Sequence, residues 1–529
     1  MFLIILICAI VIFSAIFTNR FIKALGVPSL LFFMCLGMIF GTDGIFKIYF
    51  ENFEITKELC SIALGFIIFY GGFCTNWKTA KPIALKASVL STVGVFLTAI
   101  SICVFCYFVL NVSFLESFLI GAVISSTDAA SVFSILKSRN LNLKETTAPL
   151  LEIESGSNDP MSYVLVILAI TLLQGQSVGF VSILFIKQML FGVLIGVVLA
   201  YIAICILKNT KLVSSGSETL FVIALVLFGY TIPEVVNGNP FLSVYFLGII
   251  LGNSNIKNKF SLTNFFDGIT QLGQLGIFFI LGLLAYPSKV PDLFVTGLSI
   301  FLFLTFIARP LVIFTLLKPF KASFGQCALV SWAGLRGVAS IVFAIVAIDS
   351  KISLHYDLFH LVFLISILSV AFQGTFLPLV AQKTNMIDEF SDVRKTFTDY
   401  QDECAIKLIQ FKINESHQWL NCEIKDIRFP DGALALMIKR GDKKITPKGD
   451  VVIQQGDIIV LSLPTASLSD DVLLNEVLID KKHKWYNKKI KDLDLEKNDL
   501  IVLIKRDNEN IVPTGEDILQ EDDLVVIYV

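Results

Sequence analysis

Apolar stretches separated by short polar loops follow one another through the first 383 residues of the chain. About 20 apolar residues suffice for a helix to cross a bilayer, so such runs predict transmembrane helices. Runs of spanning length or slightly less lie at 2–18, 28–40, 57–73, 83–110, 116–136, 146–173, 180–207, 217–232, 240–253, 264–286, 293–317, 323–349 and 357–381. The pattern predicts an all-α, polytopic membrane domain over 1–383 with about 13 transmembrane helices.

Basic residues fall in alternate loops between these predicted spans. Loops after odd-numbered spans contain fourteen of them, namely Arg20, Lys23, Lys78, Lys81, Lys86, Lys137, Arg139, Lys144, Lys208, Lys211, Lys257, Lys259, Lys318 and Lys321. Loops after even-numbered spans contain only Lys47, Lys57, Lys289 and Lys351, with Lys187 near an outer helix end. Because Lys and Arg are enriched in cytoplasmic loops, the N-terminus is predicted outside the cell membrane and the C-terminal tail in the cytoplasm. Met1–Phe17 lacks a basic segment and a small-residue cleavage site, so we interpret it as a retained span rather than a signal peptide.

From about residue 385 the chain turns polar and short strand-like alternations replace the apolar runs. An ungapped internal repeat with an offset of 66 residues aligns His417–Asp426 with His483–Asp492, and Gln454–Val460 with Gln520–Val526. A repeat of this length indicates a duplicated structural unit. We therefore predict a linker over 384–399 and a soluble α+β domain of two tandem modules, 400–464 and 465–529.

Composition narrows the function classes. Of 529 residues, 55% are hydrophobic and 16% are charged, whereas soluble domains contain about 25% charged residues. The net charge of −2 argues against a nucleic-acid partner and leaves membrane lipids as the surroundings. The 10 cysteines and 4 histidines show no framework or metal-site spacing, and no nucleophile–base pair or cofactor loop stands out. We expect a transporter rather than an enzyme, without a catalytic residue or a resident cofactor.

The fifth predicted span is interrupted by Ser125-Ser126-Thr127-Asp128. Ser, Thr and Asp are strong helix N-caps, so the string is typical of a broken helix. A break at bilayer depth is tolerated only where it is buried or lines a cavity, as in ion-coupled transporters. Because Asp at the centre of a span costs about 2.5–3.5 kcal/mol on insertion scales, we favour a role in ion binding.

The twelfth predicted span contains a second interruption, Gly334-Leu335-Arg336-Gly337. A buried guanidinium needs an anion, and the candidates at similar depth are Glu154, Asp128 and Asp159. Paired interruptions in two halves of a membrane domain indicate an inverted-repeat transporter with a site near the midplane. Arg309, followed by Pro310, is a further intramembrane arginine whose role the sequence leaves open.

A polar string, Glu154-Ser155-Gly156-Ser157-Asn158-Asp159-Pro160, precedes a long apolar run in the sixth predicted span. Ionisable groups in such a position are costly and by default mark an ion or proton pathway. Carboxylate, hydroxyl and amide oxygens, with carbonyls freed at helix breaks, are the ligands that hard monovalent cations prefer.

These strings make the membrane domain similar to the NhaP-like monovalent cation/proton antiporters of the first cation–proton-antiporter class. The motifs are Thr127-Asp128, the Glu154–Pro160 string and Gly334–Gly337, and further similarities include Tyr245–Asn253 and Phe278–Leu284. The resemblance implies a homodimer with thirteen helices per chain, a dimerisation domain and a six-helix core in which spans five and twelve are unwound and cross. One departure is Tyr70, where many relatives have an acidic residue.

The resemblance also implies the site. Asp159 would bind either a proton or the transported cation, with Asn158 beside it. Glu154 and Ser155 would help to coordinate the cation or shape the site, Thr127 would contribute an oxygen, Asp128 would line another wall, and Arg336 would pair with Glu154. One carboxylate that holds either ion gives 1:1 exchange by competition, and the Asn158-Asp159 pair is what the electroneutral members of the family show. We expect alternating-access exchange of K+, or of Na+, for a proton.

The tail modules resemble the C-lobe of the regulator-of-potassium-conductance (RCK) domain, also called TrkA-C. No Gly-x-Gly-x-x-Gly follows a strand in the tail, so NAD is not expected. The resemblance permits cyclic di-AMP as a regulatory ligand, and it equally permits a Na+/H+ antiporter whose tail is purely structural. A potassium channel gated by the same tail is disfavoured, because the sequence has no Thr-Val-Gly-Tyr-Gly filter and too many spans.

Overall fold

The structure is a computed structural model of the chain. It describes residues 9 and 13, and then 29–387 except 140, 209–216, 255 and 257–258. In the tail it describes 406–414, 417, 419–427, 429, 434–440, 443–464, 474–479, 485–493, 500–506, 509–511, 515, 517–520 and 523–528. Almost all of the first predicted span, 2–18, and most of the predicted linker, 384–399, lie outside the described residues. The chain divides into two compact units, Met1–Asp402 and Glu403–Val529.

The secondary structure described in the first unit is helical, apart from an isolated β-bridge between Leu143 and Ile387. Its helices are α1 Ser29–Phe40, α2 Phe53–Cys74, α3 Trp77–Ala80, α4 Ala84–Val89, α5 Val95–Val109, α6 Phe114–Ile124, α7 Ala129–Ser138, α8 Thr147–Leu173, α9 Val178–Lys208, α10 Ser217–Val235, α11 Pro240–Gly252, α12 Lys259–Leu284, α13 Val290–Phe303, α14 Arg309–Leu317, α15 Phe324–Trp332, α16 Val338–Asp349, α17 Leu358–Leu368 and α18 Gly374–Lys383. Short 3-10 turns occur at Pro287–Lys289 and Lys318–Phe320, and π-helical turns at Leu90–Gly94, Leu304–Ala308 and Ser369–Gln373.

Nine helical spans in the described part of the chain are long and apolar enough to cross a membrane. Three shorter apolar helices, Leu31–Phe40, Pro240–Gly252 and Val338–Asp349, accompany them. Each apolar stretch predicted from 28–40 onward contains helix, and 323–349 is divided between α15 and α16. The polytopic helical membrane domain is therefore confirmed, while the number of about 13 spans stays a prediction.

The described helices pack as two groups. The first, which we call the scaffold group, comprises α1, α2 and α9–α12, with α11 packed against α2, α9 and α10. The second, the core group, comprises α4–α8 and α13–α18, with α6 against α5 and α8, and α17 against α13 and α16. The groups meet where α8 packs on α9 and α11, and where α16 packs on α2. Small residues permit close packing within the scaffold group, since a Cβ on Gly248 of α11 would lie 2.9 Å from the Phe73 nitrogen of α2.

The second unit contains two four-stranded antiparallel sheets. The first sheet has the order β1-β4-β2-β3, with strands β1 Ile406–Lys412, β2 Leu434–Arg440, β3 Lys443–Ile445 and β4 Ile458–Pro464. The second has the order β5-β8-β6-β7, with strands β5 Leu474–Leu478, β6 Leu500–Arg506, β7 Glu509–Ile511 and β8 Leu524–Tyr528. The pair Leu434↔Ser462 in the first sheet corresponds to Leu500↔Tyr528 in the second, at the offset of 66 residues that the sequence repeat has.

Each tail sheet covers a small apolar core. Ile438, Ile459 and Leu461 are buried in the first, and Ile501, Ile504 and Val525 in the second. In the described tail residues, helical structure is limited to the 3-10 turns Ile424–Asp426 and Ile490–Asp492, so the modules are richer in strand than the α+β prediction suggests.

Candidate cation-binding site

The break in the fifth span lies between α6 and α7, over residues 125–128. Asp128 caps α7, because its carboxylate accepts hydrogen bonds from the Ser131 amide (3.2 Å) and the Ser131 hydroxyl (2.6 Å). The Asp128 amide donates to the Leu335 carbonyl of the second break, at 2.9 Å. The string predicted from sequence thus forms a capped helix break, and the Asp128 carboxylate is occupied in capping. Its predicted place in the cation site stays a prediction.

The second break, residues 333–337, separates α15 from α16 and lies directly against the first. Gly337 faces the Asp128 side chain, where a Cβ would lie 2.6 Å from the Asp128 Cγ atom. A side chain at this position would force the two breaks apart, so glycine is required by the close approach. The two interruptions predicted from the sequence therefore meet inside the membrane unit.

Asp159 lies on α8 beside the first break, and Ser126 donates a hydrogen bond to its carboxylate. The Asn158 amide donates to the Thr127 hydroxyl, and the Asn158 Oδ1 atom is buried without a hydrogen-bond partner in the part of the chain that the structure describes. Ser155 joins the same region, since its hydroxyl accepts from the Ala129 amide (2.9 Å) and donates to the Thr127 carbonyl (2.8 Å).

These contacts bring Asp159, Asn158, Ser155 and Thr127 together, as expected from the sequence. Ser126 is a further member that sequence reasoning missed. The sequence contained only part of the information needed to identify Ser126. The string 125–128 offers three hydroxyls, and which of them turns toward α8 depends on the path of the chain through the break.

The expected pair between Arg336 and Glu154 is wrong. Glu154 pairs instead with Arg309 of α14, whose Nη2 atom lies 2.7 Å from the Glu154 Oε1 atom, and both side chains are at most 2% exposed. The Arg336 Nη1 atom donates to the carbonyls of Ser125 (2.8 Å) and Ser126 (2.7 Å). The physical reason is local. A broken helix leaves carbonyls without amide partners, and these carbonyls satisfy the guanidinium that faces them.

The site has more negative than positive formal charges. Two arginines, Arg309 and Arg336, face three carboxylates, Glu154, Asp128 and Asp159, so one negative charge remains when all are ionised. Glu154 has an arginine and Asp128 has a helix end, whereas Asp159 accepts only from a neutral hydroxyl among the described residues. An uncompensated carboxylate inside a membrane-spanning segment is costly, and a proton or a cation removes that cost.

Access to Asp159 differs along α8. Glu152, Gly156 and Asp159, which follow one face of the helix, are partly exposed. Tyr163 continues that face but is buried, with its ring 4.9 Å from the Phe241 ring and 5.7 Å from the Phe343 ring. The site is thus closed toward the C-terminal half of α8 and more open toward its N-terminal end.

Comparison with known proteins identifies the family of the chain. The family model "Sodium/hydrogen exchanger, transmembrane" matches residues 8–383, and the TrkA-C domain model matches 408–470 and 474–529. The chain belongs to the sodium/hydrogen exchanger family. The family and the tail modules predicted from the sequence motifs are therefore confirmed, and the chain is a multi-pass membrane antiporter of the cation/proton type.

Relatives of similar architecture carry names that specify a cation. A K(+)/H(+) antiporter NhaP2 from Shewanella oneidensis is 31% identical over 82% of this chain and 76% of its own length. A K(+)/H(+) antiporter NhaP from Alkalimonas amylolytica is 30% identical over 84% of this chain and 78% of its own. A Na(+)/H(+) antiporter NhaH from Halobacillus aidingensis is 27% identical over 56% and 75%. These relatives are antiporters, not enzymes.

A solved structure shares the fold. The sodium proton antiporter MjNhaP1 from Methanocaldococcus jannaschii superposes with a TM-score of 0.61, covering 70% of this chain and 98% of that one. The sequence identity of the superposed parts is 21%, so this similarity shows the fold alone.

Proposed function

We propose that this protein is an electroneutral K+/H+ antiporter that exchanges one cation for one proton at Asp159. The observation that carries the proposal is the difference between Asp159 and its neighbours. Among the described carboxylates of the site, it alone has neither an arginine nor a helix end as its partner. A group in that position is stable when it holds a proton or a cation, and it cannot hold both.

Competition for one carboxylate couples the two ions. The cation would be bound by oxygens of Asp159 and Thr127, with the unpaired Asn158 Oδ1 atom and the Ser126 hydroxyl close by. Ser155 is already hydrogen-bonded on both sides, so we assign it mainly to shaping the break. Glu154, held by Arg309, shapes the site in the same way.

Alternating access would occur by movement of the core group relative to the scaffold group. Two features support this division. The breaks, Asp159 and both arginines all belong to the core group, and the buried aromatic contact of Tyr163 with Phe241 lies where α8 meets α11. The open N-terminal end of α8 follows a loop that the basic residues predict to be cytoplasmic, which favours access from the cytoplasm.

The K+ assignment follows the names of relatives that are at least 30% identical over most of the chain, among them the Shewanella and Alkalimonas antiporters. The second candidate is Na+/H+ exchange, which the name of the Halobacillus relative favours. We further propose that the chain forms a homodimer in the cell membrane and that its cytoplasmic TrkA-C modules regulate exchange, with cyclic di-AMP as the candidate ligand. A tail that serves only to stabilise a dimer is the alternative.

Cation identity is tested by reconstituting the purified protein in liposomes with an imposed pH gradient and a pH-sensitive dye. K+, Na+, Rb+ and Li+ are added separately, and the collapse of the gradient is followed. The proposal predicts that K+ collapses the gradient at the lowest concentration. Activation by Na+ or Li+ alone would replace it with the second candidate, and no response to any of the four cations would overturn the antiporter function.

A further inference from the structure

The π-helical turn Ser369–Gln373, between α17 and α18, faces the break that contains Arg336. Its two polar ends, Ser369 and Gln373, are buried at 0% and 2% exposure. A π turn inside an α-helix is rare and is frequently found at functional sites. Neither residue is within hydrogen-bonding distance of Asp159 among the described contacts, so their effect on the site has to be indirect.

Ser369 and Gln373 satisfy the backbone of the break. The Ser369 hydroxyl accepts a hydrogen bond from the Arg336 amide (3.0 Å) and donates to the Gln373 Oε1 atom (2.5 Å). The Gln373 Nε2 atom donates to the Trp332 carbonyl (3.1 Å), and the Trp332 indole donates to the Gln373 carbonyl (3.0 Å). The amides of residues 334–337 do not continue the helical hydrogen bonds of α15, so the bonds from Ser369 and Gln373 fix where the chain crosses the gap.

The same contacts continue to the site. Arg336 is held at its backbone by Ser369, and its guanidinium holds the carbonyls of Ser125 and Ser126. Ser126 in turn donates to the Asp159 carboxylate. A continuous series of hydrogen bonds therefore runs from Gln373 through Ser369, Arg336 and Ser126 to Asp159.

We propose that Ser369 and Gln373 are positioning residues for ion binding, which act through Arg336 on the oxygens around Asp159. This inference rests on the proposed exchange at Asp159. Loss of the Ser369 hydroxyl leaves the Arg336 amide without its acceptor, so the backbone that carries the guanidinium is held less firmly. The oxygens that it positions then bind the cation less well, while the carboxylate that carries the proton is unchanged.

The test compares two serines on the same stretch of helix. Ser366 is three residues before Ser369, is 1% exposed, and has a hydroxyl without a hydrogen-bond partner among the described residues. Ser369→Ala and Ser366→Ala therefore remove the same atom from equally buried positions. In liposomes containing equal amounts of folded protein, we expect Ser369→Ala to raise the KM for the cation about tenfold with a smaller change in kcat, and Ser366→Ala to leave KM within about twofold.

Two further variants distinguish a positioning role of Ser369 from a general disturbance of the protein's structure. Gln373→Ala acts on the same series of bonds, so combining it with Ser369→Ala is expected to raise KM little beyond either single change. Ser369→Thr keeps the hydroxyl and is expected to restore most of the wild-type KM. Equal KM values for Ser369→Ala and Ser366→Ala, or full additivity of the Ser369 and Gln373 changes, would overturn the positioning role while exchange by the wild-type protein continued. Absence of exchange in the wild type would instead overturn the proposed function.

Discussion

At the scale of single residues, the carboxylates inside the membrane unit differ in their partners. Glu154 forms an ion pair with Arg309, and Asp128 accepts hydrogen bonds from the first turn of α7. The Glu116 carboxylate accepts a hydrogen bond from the His355 amide at 2.6 Å. Asp159 has one neutral hydroxyl. Buried charges are normally paired, so a carboxylate that is left without a charged partner beside two helix breaks is the residue to which exchange is assigned.

The Arg309–Glu154 pair makes a prediction about stability. Removing one partner of a buried ion pair costs about 3–5 kcal/mol, because it leaves the other charge uncompensated. We expect Glu154→Gln and Arg309→Gln each to lower the Tm of the purified protein in detergent, and the double variant to lose less than the two changes together.

The matched control is a double-mutant cycle that combines Glu154→Gln with Arg336→Gln. Arg336 is equally buried, but its guanidinium donates hydrogen bonds to carbonyls. The coupling between Glu154 and Arg309 is expected to exceed that between Glu154 and Arg336. A larger coupling in the Arg336 cycle would restore the pairing expected from the sequence and contradict the pairing of Glu154 with Arg309.

The sequence identified most residues of the candidate site, because polar residues inside apolar runs are conspicuous. It could not choose between two intramembrane arginines. Arg309 and Arg336 are 27 positions apart, one at the start of α14 and the other in the break between α15 and α16, and which of them reaches Glu154 depends on helix packing. Ser126 was missed for a similar reason, since the direction of a hydroxyl within a break is set by the path of the backbone.

At the scale of helices and strands, the broken spans were predictable and the π turns were not. Helix breaks carry a signature of glycine and capping residues. A π turn contains a single extra residue and leaves hydropathy unchanged, so Leu304–Ala308 and Ser369–Gln373 gave no signal. Each of these turns rotates the helix that comes after it, and Arg309, which faces Glu154, lies directly after the first.

An ion pair joins the two helix groups. Lys57 of α2 lies 2.7 Å from Asp349 at the end of α16, and both side chains are partly exposed. If the groups move during transport, this pair helps to hold the conformation in which the two side chains meet. We expect Asp349→Lys to lower the exchange rate about threefold, since an exposed pair contributes less than about 1 kcal/mol.

The charge swap is the control for this pair. Lys57→Asp combined with Asp349→Lys restores opposite charges at the same positions, and it is expected to recover most of the rate in the liposome assay. A double variant as slow as Asp349→Lys alone would show that the attraction between the side chains at positions 57 and 349 does not set the exchange rate.

Each tail module is held by a buried aspartate. Burial alone would raise the pKa of Asp457, but hydrogen bonds from Arg440 and from the Gln454 amide outweigh it and hold the pKa below its usual value. Asp523 and Arg506 repeat the arrangement. Because the folded-state pKa values are lowered, this stabilisation is present above the usual pKa of about 3.9 and is lost as the pH falls through the lower folded-state values.

Arg440→Ala is expected to destabilise the first module by about 3 kcal/mol, at the low end for a buried pair because the guanidinium is partly exposed. Hydrogen–deuterium exchange of the intact protein should then be about 100-fold faster in β2 and β4, while β6 and β8 serve as the internal control. Equal acceleration in both sheets would show that the modules do not unfold separately.

At the scale of the whole molecule, hydropathy and the internal repeat predicted the division into a helical membrane unit and a duplicated tail. Both signals are properties of long segments, so local ambiguities average out. The packing of the helices into two groups was implied by the family resemblance but could not be read from hydropathy, because nearly every span is apolar on all sides.

The tail is a separate compact unit, which predicts the effect of removing it. Deleting 400–529 is expected to alter the pH or ligand dependence of exchange without abolishing exchange itself. The measurement is the K+-dependent collapse of a pH gradient across a range of pH, compared at equal protein in the liposomes. Complete loss of exchange by a folded truncated protein would mean that the tail is part of the carrier.

The central claim is that Asp159 carries either the proton or the cation. Its most direct test is K+-dependent proton movement in liposomes containing the Asp159→Asn variant, with Asp292→Asn, an exposed aspartate of α13, as the matched control. The expected result is no exchange with Asp159→Asn, wild-type exchange with Asp292→Asn, and an unchanged elution profile for both. Exchange at the wild-type rate by the Asp159→Asn protein would contradict the claim.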